Sequence, residues 1–219
     1  MIAIISADIV RSTSLQTEDL IALRNRLRAL LDELGKEYPG FWARIVRGDS
    51  IECVVPDYRL SLRIAVLLKL FVKVEVDRFD CQARLKRHGI RFSIGIADTL
   101  YADQAQDIIN GPAIVLSGRN LDRIDGKDQY ATLEAEGAPS LTGGILDAYV
   151  ALVSNLVSSY SSKQAEVVFH KLRGLKEVEI GRLLGIGQSA VNMRSTGAQW
   201  SLLHKAVDDF ERLDLENKG

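Results

Sequence analysis

The period of the hydrophobic pattern changes several times along the chain, and each change predicts an element. Ile2, Ala3, Ile4 and Ile5 run into Ser6-Ala7-Asp8-Ile9, a short β-branched stretch bounded by polar residues and read as a buried strand. From about Thr17 to Glu37, Leu20, Leu23, Leu27, Leu30, Leu31 and Leu34 recur at helical spacing, which predicts an amphipathic helix ended at Pro39-Gly40. Phe41 to Val46 and Ile51 to Val55 read as two strands joined at Arg47-Gly48-Asp49-Ser50, a hairpin with Gly48-Asp49 near its tip. Pro56-Asp57 opens a second helix, with Asp57 as cap and Leu60, Ile64, Leu67, Leu68, Phe71 and Val74 on its buried face.

Beyond a charged connection, Ile90, Phe92, Ile94 and Ile96 alternate with other residues, the clearest strand signal in the chain. Gly111-Pro112 places proline at the start of a helix running through Ile114, Leu116, Leu121 and Ile124. Ser117-Gly118 falls in its middle, where the glycine costs about 1 kcal/mol of helix propensity. A close backbone approach to the sheet or to a ligand explains that placement. Tyr130 to Leu133 reads as a last strand, and Gly137-Ala138-Pro139-Ser140 marks a boundary between residues 1–138 and 139–219. Everything after it has helical spacing: a connecting helix with Ile145, Leu146, Tyr149, Leu152, Val153 and Leu156, then a helix opened by a Ser161 to Gln164 capping box. An α+β domain followed by an all-α unit is the fold class this order predicts.

Composition narrows the function classes. Hydrophobic residues are 47% and charged residues 26% of the 219, the balance of a soluble globular protein. Cys53 and Cys81 make no CxxC pair, so a disulfide framework and a zinc site are both disfavoured and a cytoplasmic location is expected. No signal peptide or membrane span is expected, because the first apolar run is short and the later ones carry charge. The net charge of -1 hides a regional asymmetry. Ser161 to Lys205 holds seven Lys/Arg against three Asp/Glu, whereas Ala206 to Gly219 holds two against five.

Two stretches carry candidate chemistry. At the end of the first strand, Asp8 is a rigidly held carboxylate, and Arg11, Ser12 and Thr13 offer a cation and hydroxyls that suit an anion such as phosphate, or plain helix capping. Residues Arg84 to Arg91 include Arg84, Lys86, Arg87, His88 and Arg91, a basic cluster without aromatics that reads as solvated loop or as a binding patch. In the helical part, Gly181, Gly185 and Val191 are spaced as a tight turn between two packed helices requires. Gly181 permits close packing, Gly185 permits positive φ and Val191 buries the inner face of the second helix.

The stretch from Ser161 to about Lys205, with the phrase Gly185-Ile-Gly-Gln-Ser-Ala-Val191, resembles a helix-turn-helix of the sigma-factor region four type. The resemblance implies double-stranded DNA as partner. Gln188, Ser189, Asn192 and Thr196 would then face base edges in the major groove, and Lys176, Arg182 and Arg194 would meet phosphates.

Residues 1 to about 135 resemble the class III nucleotidyl cyclase domain and, in phrase, the cyclase-like SatD family. The phrases are Ser6-Ala-Asp8-Ile-Val-Arg-Ser12-Thr13, Gly48-Asp49, Ile90-Arg-Phe-Ser-Ile-Gly95-Ile, and Asn110-Gly111-Pro112-Ala113 leading to Ser117-Gly118-Arg119. This implies a ferredoxin-like antiparallel sheet with helices on one face. It also implies a Mg2+ or Mn2+ ion held by Asp8, Asp49 and the Ile9 carbonyl against a nucleotide, with Arg119 as the arginine that stabilises phosphate charge. Two positions depart from the family: Val115 stands where an asparagine is usual, and Ile45 where a base-reading lysine is usual. The chain is therefore expected to be a DNA-binding regulator, acting as a homodimer, whose cyclase-like domain binds a nucleotide or metal. An active cyclase is the first alternative, and a non-catalytic interaction scaffold the second.

Overall fold

A computed structural model describes residues 1–46, 48–98, 101–124 and 129–215. Its α+β architecture is built on strand β1 (Ile2–Ile9), which lies between β3 (Ser50–Val55) and β4 (Ile90–Ala97) and pairs antiparallel with both. With β2 (Trp42–Val46) outside β3, and the Ala131–Ala135 strand (β7, after the hairpin strands introduced below) outside β4, the sheet order is β2-β3-β1-β4-β7. Arg47, in the predicted hairpin turn, lies outside the described residues.

The expected all-antiparallel sheet needs correction, because β7 runs parallel to β4. A parallel neighbour requires a crossover, and helix α4 (Pro112–Arg123) supplies it. Nor do helices cover one face alone. Helices α1 (Thr17–Glu37) and α2 (Ser61–Val76) pack on the face presenting Ala3, Ile5, Ala7 and Ile9. The opposite face, with Ile4 and Ala97, is covered by α4 through Ala113.

Small residues allow α4 to lie this close. A Cβ added at Gly95 of β4 would collide with the Ala113 carbonyl and stand 2.7 Å from the Ser117 nitrogen, while the Ser6 and Ser117 hydroxyls are 2.8 Å apart. The close approach foreseen at Ser117-Gly118 is thus made by Ser117 against Gly95. Gly118 itself faces open space.

Two elements escaped the sequence pattern. A small hairpin of β5 (Tyr101–Asp103) and β6 (Ile108–Asn110) precedes α4, and the basic cluster forms a short helix, α3 (Ala83–His88). Gly89 stops α3 at φ +64°, with space for a Cβ limited by the Lys69 carbonyl and Lys73 nitrogen at 3.3 Å each.

The helical part comprises α5 (Ser140–Ser158), α6 (Ser162–Leu172), α7 (Glu177–Leu184), α8 (Gln188–Gly197) and α9 (Trp200–Glu211). It shares the main core: Val150, Val157, Val168, Leu203 and Phe210 pack in one cluster with Leu67, Leu70 and the sheet. Polar ties reinforce this packing. Arg63 of α2 donates to the Leu172 carbonyl at 2.9 Å and pairs with Glu211 and with Asp208 (3.3 Å), while Arg173 pairs with Glu33 at 3.0 Å and with Glu37. Helix α5 is long and apolar enough to cross a membrane by length and composition alone. It is nevertheless built into the fold on one side, where Asp147 accepts from the Thr132 hydroxyl (2.6 Å) and the Leu133 N–H (2.9 Å).

Candidate functional site

Strand register assembles a polar cavity at the end of β1. Asp8 stands opposite Ser50 on one side and Arg91 on the other. Each neighbour takes one carboxylate oxygen: Ser50 Oγ donates to Oδ1 at 2.6 Å and Arg91 to Oδ2 at 3.0 Å. Asp49, immediately before Ser50, accepts from Ser12 Oγ at 2.5 Å, and its carbonyl accepts the Ile9 N–H at 3.1 Å. Arg11 adopts the left-handed conformation (φ 55°) that turns the chain out of β1 into a 3-10 turn over Ser12–Ser14. Ser14 closes that turn through its hydroxyl and N–H on the Arg11 carbonyl. Helix α1 starts at Gln16 without a side-chain cap, so the hydroxyls of this loop serve Asp49 and the turn instead of the long helix.

The resulting cavity, about 320 Å³, is lined by Asp8, Ile9, Arg11, Ser12, Thr13 and Asp49, all expected from the sequence, and by Arg84, Arg91 and Tyr130, which the sequence did not connect to it. Three guanidiniums against two carboxylates suit an anionic ligand. Arg84 donates to the Tyr130 hydroxyl at 2.8 Å, and the Tyr130 ring stacks on His88 with centroids 3.6 Å apart. Behind them Lys69 of α2, fully buried, donates to the His88 and Ile90 carbonyls at 2.6 and 2.8 Å. Burial, then the Lys73 ammonium, lowers its pKa to about 7. His88 is lowered to about 4 by burial and then by Lys69, so the imidazole is neutral at pH 7.

Two carboxylates and the Ile9 carbonyl are the oxygen donors that could hold a divalent ion, whose shell ligand phosphates would have to complete, as Mg2+ favours. Among the described residues no group of three His, Cys, Asp or Glu side chains stands ready to hold a metal unaided. Arg91 and Ser50 would also have to yield Asp8. Arg119 does not join this cavity. On α4 its guanidinium meets Glu134 of β7 at 3.3 Å, and it is 46% exposed. Val115, one turn earlier, is 58% exposed. Ile45 faces Ile51 across β2 and β3 and packs on the core.

The second candidate surface is α8. Gly185 ends α7 at φ +65°, and a Cβ at Gly181 would stand 2.9 Å from the Ile186 carbonyl oxygen, so both glycines have the roles their spacing predicts. Val191 is buried with Val167 and Ile180 in a small core beneath the turn. Gln188, Ser189, Asn192 and Thr196 are exposed, together with Met193 at 72%. At 100° per residue these five fall within an arc of about 140°. Arg182 and Lys176 are also exposed, the latter with its N–H on Glu179 at 2.7 Å. Arg194 instead turns inward, 3.9 Å from Glu166. Met193 was missed because an exposed methionine on a packed helix has no sequence signature of its own. The chain matches no protein-family model, no curated protein and no solved structure.

Proposed function

We propose that this chain is a DNA-binding regulator whose cavity at the end of β1 takes an anionic, nucleotide-like ligand. The observation that carries the reading is the outer face of α8. It presents amide and hydroxyl side chains, able to donate and accept, on a helix held by Val191 and left uncovered by the described chain. Such a face suits base edges in a major groove, with Arg182 and Lys176 beside it for phosphates.

The resemblances to a helix-turn-helix and to a cyclase-like, ferredoxin-like domain agree with this division. So does the strand order, in which β2-β3-β1-β4 is antiparallel throughout. A divalent ion bound with the ligand would neutralise its phosphates. A homodimer in the cytoplasm would present two α8 helices to two half-sites. The exposed Leu141, Ile145 and Leu152 of α5 give such a dimer an apolar face.

Fluorescence anisotropy with labelled duplex DNA tests the proposal. Binding at low salt should weaken steeply as salt rises, and Asn192→Ala should weaken it without lowering thermal stability. No binding at low salt would overturn it. A second reading, cyclase activity, draws on Asp8 and Asp49 sharing one cavity. Cyclic product formed with Mn2+ and a nucleoside triphosphate, and lost in Asp8→Ala, would favour that reading instead.

A further inference from the structure

The basic cluster of α3 does not act as one unit. Arg84 and Arg91 line the cavity at β1 and His88 is buried, but Lys86 and Arg87 turn to a different, larger cavity of about 630 Å³. It opens between the end of α3 and the corner joining α5 to α6. No carboxylate among the described residues lies within ion-pair distance of either cation. Asp77, the acidic residue of the lining, is already engaged by the Ser162 hydroxyl at 2.7 Å.

The carbonyls that end α3 and α5 converge here and would by themselves repel an anion. Lys73 cancels them. Only 3% exposed, its ammonium donates to the Lys86, Arg87 and Ser158 carbonyls at 3.1, 2.7 and 3.2 Å. From the other wall comes the start of α6, where the Ser161 hydroxyl takes the Gln164 N–H at 3.2 Å and the Ser162 and Lys163 N–H groups have no intrahelical acceptor. Tyr160, also in the lining and 4% exposed, has a hydroxyl without a hydrogen-bond partner among the described residues. Two unpaired cations, a buried ammonium behind them and the Ser162 and Lys163 N–H groups opposite favour a compact oxyanion.

Gln164 places this cavity relative to α8. It lines the cavity, and a Cβ built at Gly197, the last residue of α8, would be 3.0 Å from its amide nitrogen. We propose that the cavity seats a phosphate group through Lys86, Arg87 and the start of α6, its source being a DNA backbone phosphate next to the end of α8. The choice of source rests on the DNA-binding reading above; the phosphate chemistry does not.

The experiment has two arms on the full chain, each comparing wild type with Lys86→Ala/Arg87→Ala. In the first, duplex affinity is measured across a salt series. The double variant should bind several-fold more weakly at low salt, with a log-log slope shallower by about one for each phosphate it no longer neutralises. In the second, inorganic phosphate is titrated without DNA and melting is followed, with chloride at matched ionic strength as control. A phosphate-specific rise in melting temperature in wild type, absent from the double variant and accompanied by an unchanged DNA slope, assigns the seat to a free phosphate. If wild type binds no DNA, the second arm still decides. Equal DNA slopes together with no phosphate-specific rise would overturn the proposal.

Discussion

The cavity at β1 and the outer face of α8 are both polar, yet they are polar in opposite ways. In the cavity nearly every charged group already has a protein partner: Asp8 with Ser50 and Arg91, Asp49 with Ser12, Arg84 with Tyr130. On α8 the side chains of Gln188, Ser189, Asn192 and Thr196 stand exposed to solvent. A ligand entering the cavity must exchange protein contacts for its own, so its binding is tied to local rearrangement and to stability. A partner on α8 need only displace water. The first arrangement suits sensing and the second suits docking, and mutations separate them because they cost stability in one region and not in the other.

The largest effect tests the frame that shapes the cavity. Gly95→Ala puts a methyl group into the Ala113 carbonyl, with backbone on both sides and no flexible side chain to yield. A loss of about 3 kcal/mol in urea unfolding is expected. A loss below about 1 kcal/mol would mean that α4 sits loosely on the sheet and does not hold that frame.

Lys69→Met comes next, at about 2 kcal/mol near pH 8.5, because the His88 and Ile90 carbonyls lose their donor. The pH dependence is the sharper readout. With a folded pKa of about 7 against the ordinary 10.5, the unfolded chain binds more protons between these values, so wild-type stability rises with pH in that window and falls as pH drops toward 7. Lys73, lowered to about 8 by burial and then by Arg87, adds to the same slope. Measured between pH 7 and 8.5, the urea midpoint should climb less in Lys69→Met than in wild type. Above that range the buried Cys53 thiol, its pKa raised by desolvation, opposes the trend. Parallel slopes in the two proteins would show that Lys69 is not a desolvated ammonium.

How much of each region could be read from the sequence follows the same division. On α8 the signals are local: Gly185 at a helix end, Val191 in register with Ile180, and a capping box at Ser161. Each depends on neighbours within one or two turns. Asp8 and Asp49 were readable as strand-end and hairpin residues, but the place of Arg91 beside them was not. Its pairing with Asp8 follows from the β1–β4 register, set by residues 83 positions apart. The parallel placement of β7 depends likewise on where α4 lands, and Arg119 was expected at a site from which α4 points it away. Lys69 and Lys73 did leave a trace, as two cations four residues apart in an otherwise apolar run of α2. Helical spacing alone does not reveal that the carbonyls ending α3 would meet them.

Asp8→Ala belongs to the middle of the scale. It leaves the Arg91 guanidinium with only the Ile124 carbonyl (2.7 Å) and the Ser50 hydroxyl without its acceptor, in a half-buried setting, and a destabilisation of about 1 kcal/mol is expected by urea melts. A free energy unchanged from wild type would show that the pairing is too exposed to matter, and the cavity would then resemble α8 more than it differs from it.

The smallest effect bears most directly on the contrast. Asn192 lies on the uncovered face, and its side chain makes no hydrogen bond among the described residues; its carbonyl accepts from Ser195 and is untouched by substitution. Asn192→Ala should therefore change stability by no more than about 0.5 kcal/mol, and the better helix propensity of alanine pushes even that toward stabilisation. If its urea midpoint falls as far as that of Asp8→Ala, the face is engaged within the chain and is not kept free for a partner. If the midpoint holds while duplex affinity drops, the exposed amide serves recognition and has no part in folding, a separation that Asp8 cannot show, because there the contacts a ligand would have to replace are also the contacts that hold the strands together.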